Sequence, residues 1–132
     1  MAEFVMKDLL AKAGRKDVEV ESAALHPDEI GHDIHRGTWR KLLEKGIPFA
    51  PREAWLLTAA KAREYDLIIG MDDYNMADLR RLVFPEDLGK LRKMMELTGE
   101  TRDVADPWFT GNFDATWDDI FAACTALLPI LS

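Results

Sequence analysis

The chain has 132 residues, a formal net charge of -7, 48% apolar and 31% charged residues, and one cysteine. The acidic balance argues against a nucleic-acid binder, which normally carries a basic face. A single cysteine excludes a disulfide framework and fits a reducing compartment, and the longest apolar run, AACTALLPIL near the C-terminus, is too short to span a bilayer. With no basic region followed by an apolar one at the start, the sequence reads as a single cytoplasmic domain over residues 1–132. A chain this long buries roughly 68% of its unfolded surface, enough for a core without staples.

The first element is a helix from about Ala2 to Ala13. Phe4, Val5, Leu9 and Leu10 form its apolar stripe and Gly14 its stop. DVEVESAAL alternates Val18 and Val20 with Glu19 and Glu21, the pattern of a short strand. HPDEIGHDIHRG is turn-rich. RGTWRKLLEKG predicts a second helix with Trp39, Leu42 and Leu43 inward and Gly46 as its stop. GIPFAPREAW reads as a loop, after which Thr58 caps a short helix, AAKARE. YDLIIGMD is a nearly continuous apolar run, as in a strand buried on both faces. A helix from about Tyr74 to Val83 follows. LRKMMELTG has helical propensity in a position that also suits a strand. After the loop VADPWFTGNFD, the last helix places Trp117, Ile120, Phe121, Cys124, Leu127 and Leu128 on its apolar face. Strands alternating with helices predict an α/β domain with a mostly parallel sheet.

Three stretches carry groups capable of chemistry. His26, His32 and His35 stand among Asp28, Glu29 and Asp33. Imidazole and carboxylate suit zinc or iron, but the spacing matches no ligand pattern and reads as a solvated loop, so no metal or other cofactor is assigned. Asp72, Asp73 and Asn75 follow the buried strand, where parallel sheets bind ligands; either aspartate also serves as a helix cap. In VADPWFTG an Asp-Pro dipeptide is usually just a turn, but two aromatics and a glycine follow it, and such a loop can hold a carboxyl group beside a flat substrate.

Taken in order, VESAAL, IGHDIHRGTWRKLLEKGIPF, YDLIIGMDDYNMADL and VADPWFTGNFDATWDDIFAAC resemble the low-molecular-weight protein tyrosine phosphatases over essentially the whole chain. The resemblance implies a three-layer α/β sandwich with a short, mostly parallel sheet flanked by helices, and it assigns LRKMMELTG as the last strand. It also implies that residue 1 lies just past a loop of the form Cys-x-x-x-x-x-Arg-Ser-Pro. By this reading the chain lacks roughly a dozen or more residues of the family pattern: that loop and an interior strand of ~5 residues. The missing strand would lie between the strands near Val18–Ser22 and Leu67–Met71.

In the family mechanism the loop cysteine attacks phosphotyrosine as a thiolate, loop amides and arginine hold the phosphate, and an Asp-Pro aspartate is general acid, then base. By position that aspartate is Asp106. Trp108 and Phe109 form the aromatic wall for the substrate ring, and Ser22 supports the loop. Cys124 is no replacement, because the residue six positions on is Ile130 rather than arginine. Trp55 stands where the family has an arginine, and Asp28 where an aromatic often reaches the pocket rim. The expectation is a phosphatase of phosphotyrosine proteins or small aryl phosphates in its intact form, inactive as this chain alone. The alternative is a non-catalytic interaction module that oligomerises or pairs with another chain; in either case no nucleic-acid or membrane partner is expected, and a homo-oligomer through the missing-strand gap is. An arsenate reductase on the same fold would need further cysteines.

Overall fold

The computed structural model describes residues 1–25, 36–48, 55–104 and 113–131. Its elements are α1 (Ala2–Lys12), α2 (Arg36–Glu44), α3 (Ala59–Ala62), β1 (Ile68–Gly70), α4 (Asp73–Leu82), a 3-10 helix (Pro85–Lys90), β2 (Leu91–Lys93), a second 3-10 helix (Met94–Thr98) and α5 (Phe113–Leu127). β1 and β2 pair in parallel, with Ile68 opposite Leu91 and Gly70 opposite Lys93.

Alternation along the strands builds the layers. Ile69 packs toward a cluster made by Phe4, Val5, Met6 and Leu10 of α1, Leu42 of α2 and Trp117, Ile120, Ala123, Cys124 and Leu127 of α5. Ile68 and Leu91 face a second cluster, with Leu57, Ala62 of α3, and Met76 and Leu79 of α4. Helices therefore cover both faces of a short parallel sheet, the three-layer α/β arrangement expected from the sequence.

The helix ends follow local chemistry. Gly14 (φ 71°) and Gly46 (φ 69°) take the left-handed conformation that ends α1 and α2. There the Arg15 amide donates to the Leu10 carbonyl at 2.9 Å and the Ile47 amide to that of Leu42, also at 2.9 Å. Thr58 Oγ1 accepts from the Lys61 amide, and Asp72 accepts from the Asn75 amide at 2.7 Å. Asp72 is thus the cap of α4, one of its two sequence readings.

Four expectations are corrected. Val18–Ser22 is not a strand: residues 17–23 belong to no ladder, and only Ala24 makes a parallel bridge, to Leu56. Alternating side chains bury Val18 and Val20 partly, but a strand also needs a neighbour's backbone, and among the described residues none lies alongside. LRKMMELTG is strand only over Leu91–Lys93. Its partner ends at Gly70, so Met94–Thr98 reverts to the helical turn that its propensity favours.

On α2, Leu42 is fully buried, whereas Trp39 is 46% and Leu43 63% exposed. The face against α5 is centred between Leu42 and the buried Lys41, whose ammonium pairs with Asp114 and Glu44. Trp39 and Leu43 lie well round the helix from it. Phe121 sits at the edge of the α5 stripe, half exposed and stacked on Trp117 at 5.3 Å between ring centroids.

Candidate active site

The carboxyl ends of β1 and β2 and the first turn of α1 frame the candidate site, where parallel sheets place their ligands. Lys93 ends β2 opposite Gly70, and its side chain is 6% exposed. Its ammonium donates to the Thr101 carbonyl at 2.7 Å and meets Asp103 Oδ1 at 2.6 Å and Asp73 Oδ1 at 3.0 Å. The Asp73 amide, in the first turn of α4, donates to the same Asp103 oxygen at 3.1 Å. The Lys93 ammonium holds the Asp103 carboxyl below its usual range, and Asp103 in turn raises the lysine.

The same short segment is held from two further sides. Arg102 donates both terminal nitrogens to Asp119 of α5, at 2.8 and 2.6 Å, a bidentate pair. The Val104 amide donates to the Met71 carbonyl at 3.0 Å. Thr101, Arg102, Asp103 and Val104 are therefore each anchored, one after another, to β2, α5, α4 and the end of β1. Asp106, Trp108 and Phe109 follow directly in sequence but lie outside the described residues. Where description resumes, Asp114 in the first turn of α5 is tied to Lys41 of α2.

At α1, Ser22 Oγ donates to Glu3 Oε1 at 2.7 Å, and the Lys7 ammonium donates to Glu3 Oε2 at 2.7 Å. Glu3 is 5% exposed in the first turn of the helix, where a carboxylate meets the positive end of the helix dipole. The structure thus brings Ser22 against the start of α1. Sequence reading missed Glu3 and Lys93. An acidic residue in a first helical turn was a weak signal for Glu3. Lys93 carried none, because a lysine at a strand end is normally solvated.

The remaining candidates are placed as follows. Cys124 is buried on α5, with Sγ 3.9 Å from the Ala2 carbonyl oxygen, and burial pushes its thiol up to about 11. It is a packing residue, not a thiolate at neutral pH. Trp55 is partly buried beside the α3–α4 cluster, with the Lys61 ammonium 6.0 Å from its ring centroid. His26, His32, His35, Asp28, Glu29 and Asp33 lie outside the described residues. Among the described residues no group of three His, Cys, Asp or Glu side chains is placed to hold a metal, and no helix is long and apolar enough to cross a membrane.

The model of one protein family, low molecular weight phosphotyrosine protein phosphatase, matches residues 1–132. The low molecular weight protein-tyrosine-phosphatase PtpA of Staphylococcus aureus (strain MRSA252) is 30% identical, covering 99% of this chain and 84% of that protein. Among solved structures, YfkJ from Bacillus subtilis superposes with a TM-score of 0.91 at 29% identity, covering 98% of this chain and 84% of the other. SP-PTP, a low molecular weight protein tyrosine phosphatase from Streptococcus pyogenes, gives 0.84 at 29% identity, with coverages of 99% and 83%.

Proposed function

Because this chain belongs to the low molecular weight phosphotyrosine protein phosphatase family, we propose that its chemistry is hydrolysis of phosphotyrosine or small aryl phosphates through a phosphocysteine intermediate. In this reading Asp106 is the general acid and base. A loop thiolate attacks phosphorus, the phenolic oxygen leaves with the Asp106 proton, and Asp106 then takes a proton from the water that cleaves the sulfur–phosphorus bond. Trp108 and Phe109 stack on the substrate ring, and Ser22 supports the phosphate loop. No cofactor takes part.

The 132 residues contain no Cys-x-x-x-x-x-Arg sequence, and as this polypeptide alone the protein is a phosphatase scaffold without turnover. The observation that carries this part is the state of Cys124, buried and with its thiol raised to about 11, with Ile130 rather than arginine six positions on.

A steady-state assay with an aryl phosphate at mildly acidic pH is the test. The 132-residue protein is expected to show no turnover. A version with a family-like strand and Cys-x-x-x-x-x-Arg-Ser-Pro placed ahead of Met1 is expected to gain it and to lose about 10²–10⁴-fold on Asp106→Ala. Turnover by the 132-residue protein that vanished on Asp106→Ala but survived Cys124→Ser would overturn the assignment. A folded but inactive extended protein would also refute the phosphatase reading, with Trp55 and Asp28 marking a lineage without the activity.

A second reading has an observation of its own. Among the described residues the edge of β1 opposite β2 has no ladder partner, and residues 17–23 are unladdered nearby. Open strand edges recruit strands, which supports a homo-oligomer or a complex with another chain formed across that gap. Sedimentation at micromolar concentration decides it: a strictly monomeric, cooperatively unfolding protein rules this reading out.

A further inference from the structure

The lysine that ends β2 has a role that the family reaction leaves unassigned. Burying an ammonium is expensive unless all of its protons find acceptors. Lys93 has three donors, and the structure gives it three acceptors: the Thr101 carbonyl, Asp103 Oδ1 and Asp73 Oδ1. Two of the three belong to the four-residue segment 101–104. That segment is also fixed by the Arg102–Asp119 pair and by the Val104 amide on Met71. Asp103 is doubly used, because its Oδ1 also receives the Asp73 amide of α4. A lysine needed only to tie β2 to α4 would require Asp73 alone. The additional contacts all fall on the residues that lead into Asp106-Pro107.

We propose that Lys93 is a positioning residue: it locks the stem 101–104 to the carboxyl end of the sheet, so that the Asp106 loop departs from a fixed base. Its effect on turnover rests on the reading of Asp106 as the acid; the locking of the stem does not. Reacting groups must be held to within a fraction of an ångström, and a misplacement of about 1 Å costs roughly 10²-fold in rate. A rigid stem that ends two residues before the acid supplies such a constraint through the chain itself.

The test has two arms. In the 132-residue protein, Lys93→Met keeps the aliphatic stem and removes the ammonium, Lys93→Arg restores a cation, and Asp103→Asn removes the partner from the other side. Amide exchange of residues 101–104 is expected to rise at least about tenfold in Lys93→Met and Asp103→Asn, while α1 and α5 stay within about twofold. The indole N–H resonance of Trp108 is expected to shift in both, and Lys93→Arg to recover much of the protection. Unchanged exchange at 101–104, or a uniform rise across all elements, overturns the proposal. Should Lys93→Met fail to fold, Asp103→Asn carries the same decision.

In the extended protein, Lys93→Met is expected to lower kcat roughly 10²-fold with KM little changed. A rise in KM at constant kcat contradicts a positioning role. If the extended protein is inactive with Lys93 in place, the phosphatase reading fails, and the exchange arm still decides the lock.

Discussion

Residues 17–23 and residues 68–70 are both short segments that the sequence reads as strands, yet only the second is one. Ile68–Gly70 has a parallel partner in Leu91–Lys93, and its end runs straight into a capped helix. Asp17–Ala23 alternates more regularly in sequence but lies in no ladder and is held by packing of Val18 and Val20 on the α1–α5 cluster. The difference teaches that alternation states which side chains want burial, while the ladder depends on whether another backbone stands 4.8 Å or so away. The two regions are also stabilised differently. Both bury apolar side chains, Val18 and Val20 on one cluster and Ile68, Ile69 and Leu91 on two, but only the β1–β2 region adds a backbone ladder and the Asp72 cap.

The largest expected contrast is in native-state amide exchange. Amides of β1 and β2 should exchange near the global unfolding limit and those of residues 18–22 near the rate of local opening, a gap of roughly 10³-fold or more. Equal protection in the two segments would mean that residues 17–23 find a backbone partner in solution, as the homo-oligomer reading requires, and protection that grows with protein concentration would identify that partner as a second chain.

Substitutions should separate the two modes of stabilisation. Leu10 is 3% exposed within the α1 face, and Leu10→Ala is expected to cost about 2–5 kcal/mol through lost burial and the cavity left behind. Asp72→Ala, on the β1 side, removes one cap and should cost about 1 kcal/mol. Urea titration of both variants is the check, and a reversed order would break the comparison.

The smallest effect is acid sensitivity confined to the polar side. The Lys93 ammonium lowers the folded pKa of Asp103, and Lys41 does the same for Asp114. A carboxyl lowered on folding adds stability that is fully present above its unfolded value, about 3.9, and is lost as pH falls through the folded one. Exchange protection at 101–104 should therefore decline below about pH 4, ahead of that of α1, and Asp103→Asn should flatten this response.

Much was legible without coordinates, wherever the cause is local. Gly14 and Gly46 end their helices because a glycine reaches positive φ without strain. Thr58 and Asp72 cap because their side-chain oxygens lie beside the free amides of the next turn. Phe4, Val5 and Leu10 are buried, and Cys124 is buried with its thiol raised, because helical spacing puts each on an apolar face. The ordered motifs pointed to the family that the whole chain matches. Of the site, Ser22 is placed at the start of α1, while Asp106, Trp108 and Phe109 remain assignments by position in the sequence.

Only tertiary structure decided which apolar residues stay exposed, which segment becomes a strand and which charges are buried. Trp39 and Leu43 face outward because a buried lysine, paired with Asp114 across the α2–α5 contact, occupies the place that hydropathy gave to them. Met94–Thr98 turns into a 3-10 helix because its neighbouring strand ends at Gly70. Glu3 and Lys93 are buried because local partners, Lys7 for one and Thr101 and Asp103 for the other, are completed by Ser22, 19 residues from Glu3, and Asp73, 20 residues from Lys93. Propensity and periodicity act over one or two turns of chain. Burial of a charge, and pairing of a strand, depend on groups that only the folded chain brings together.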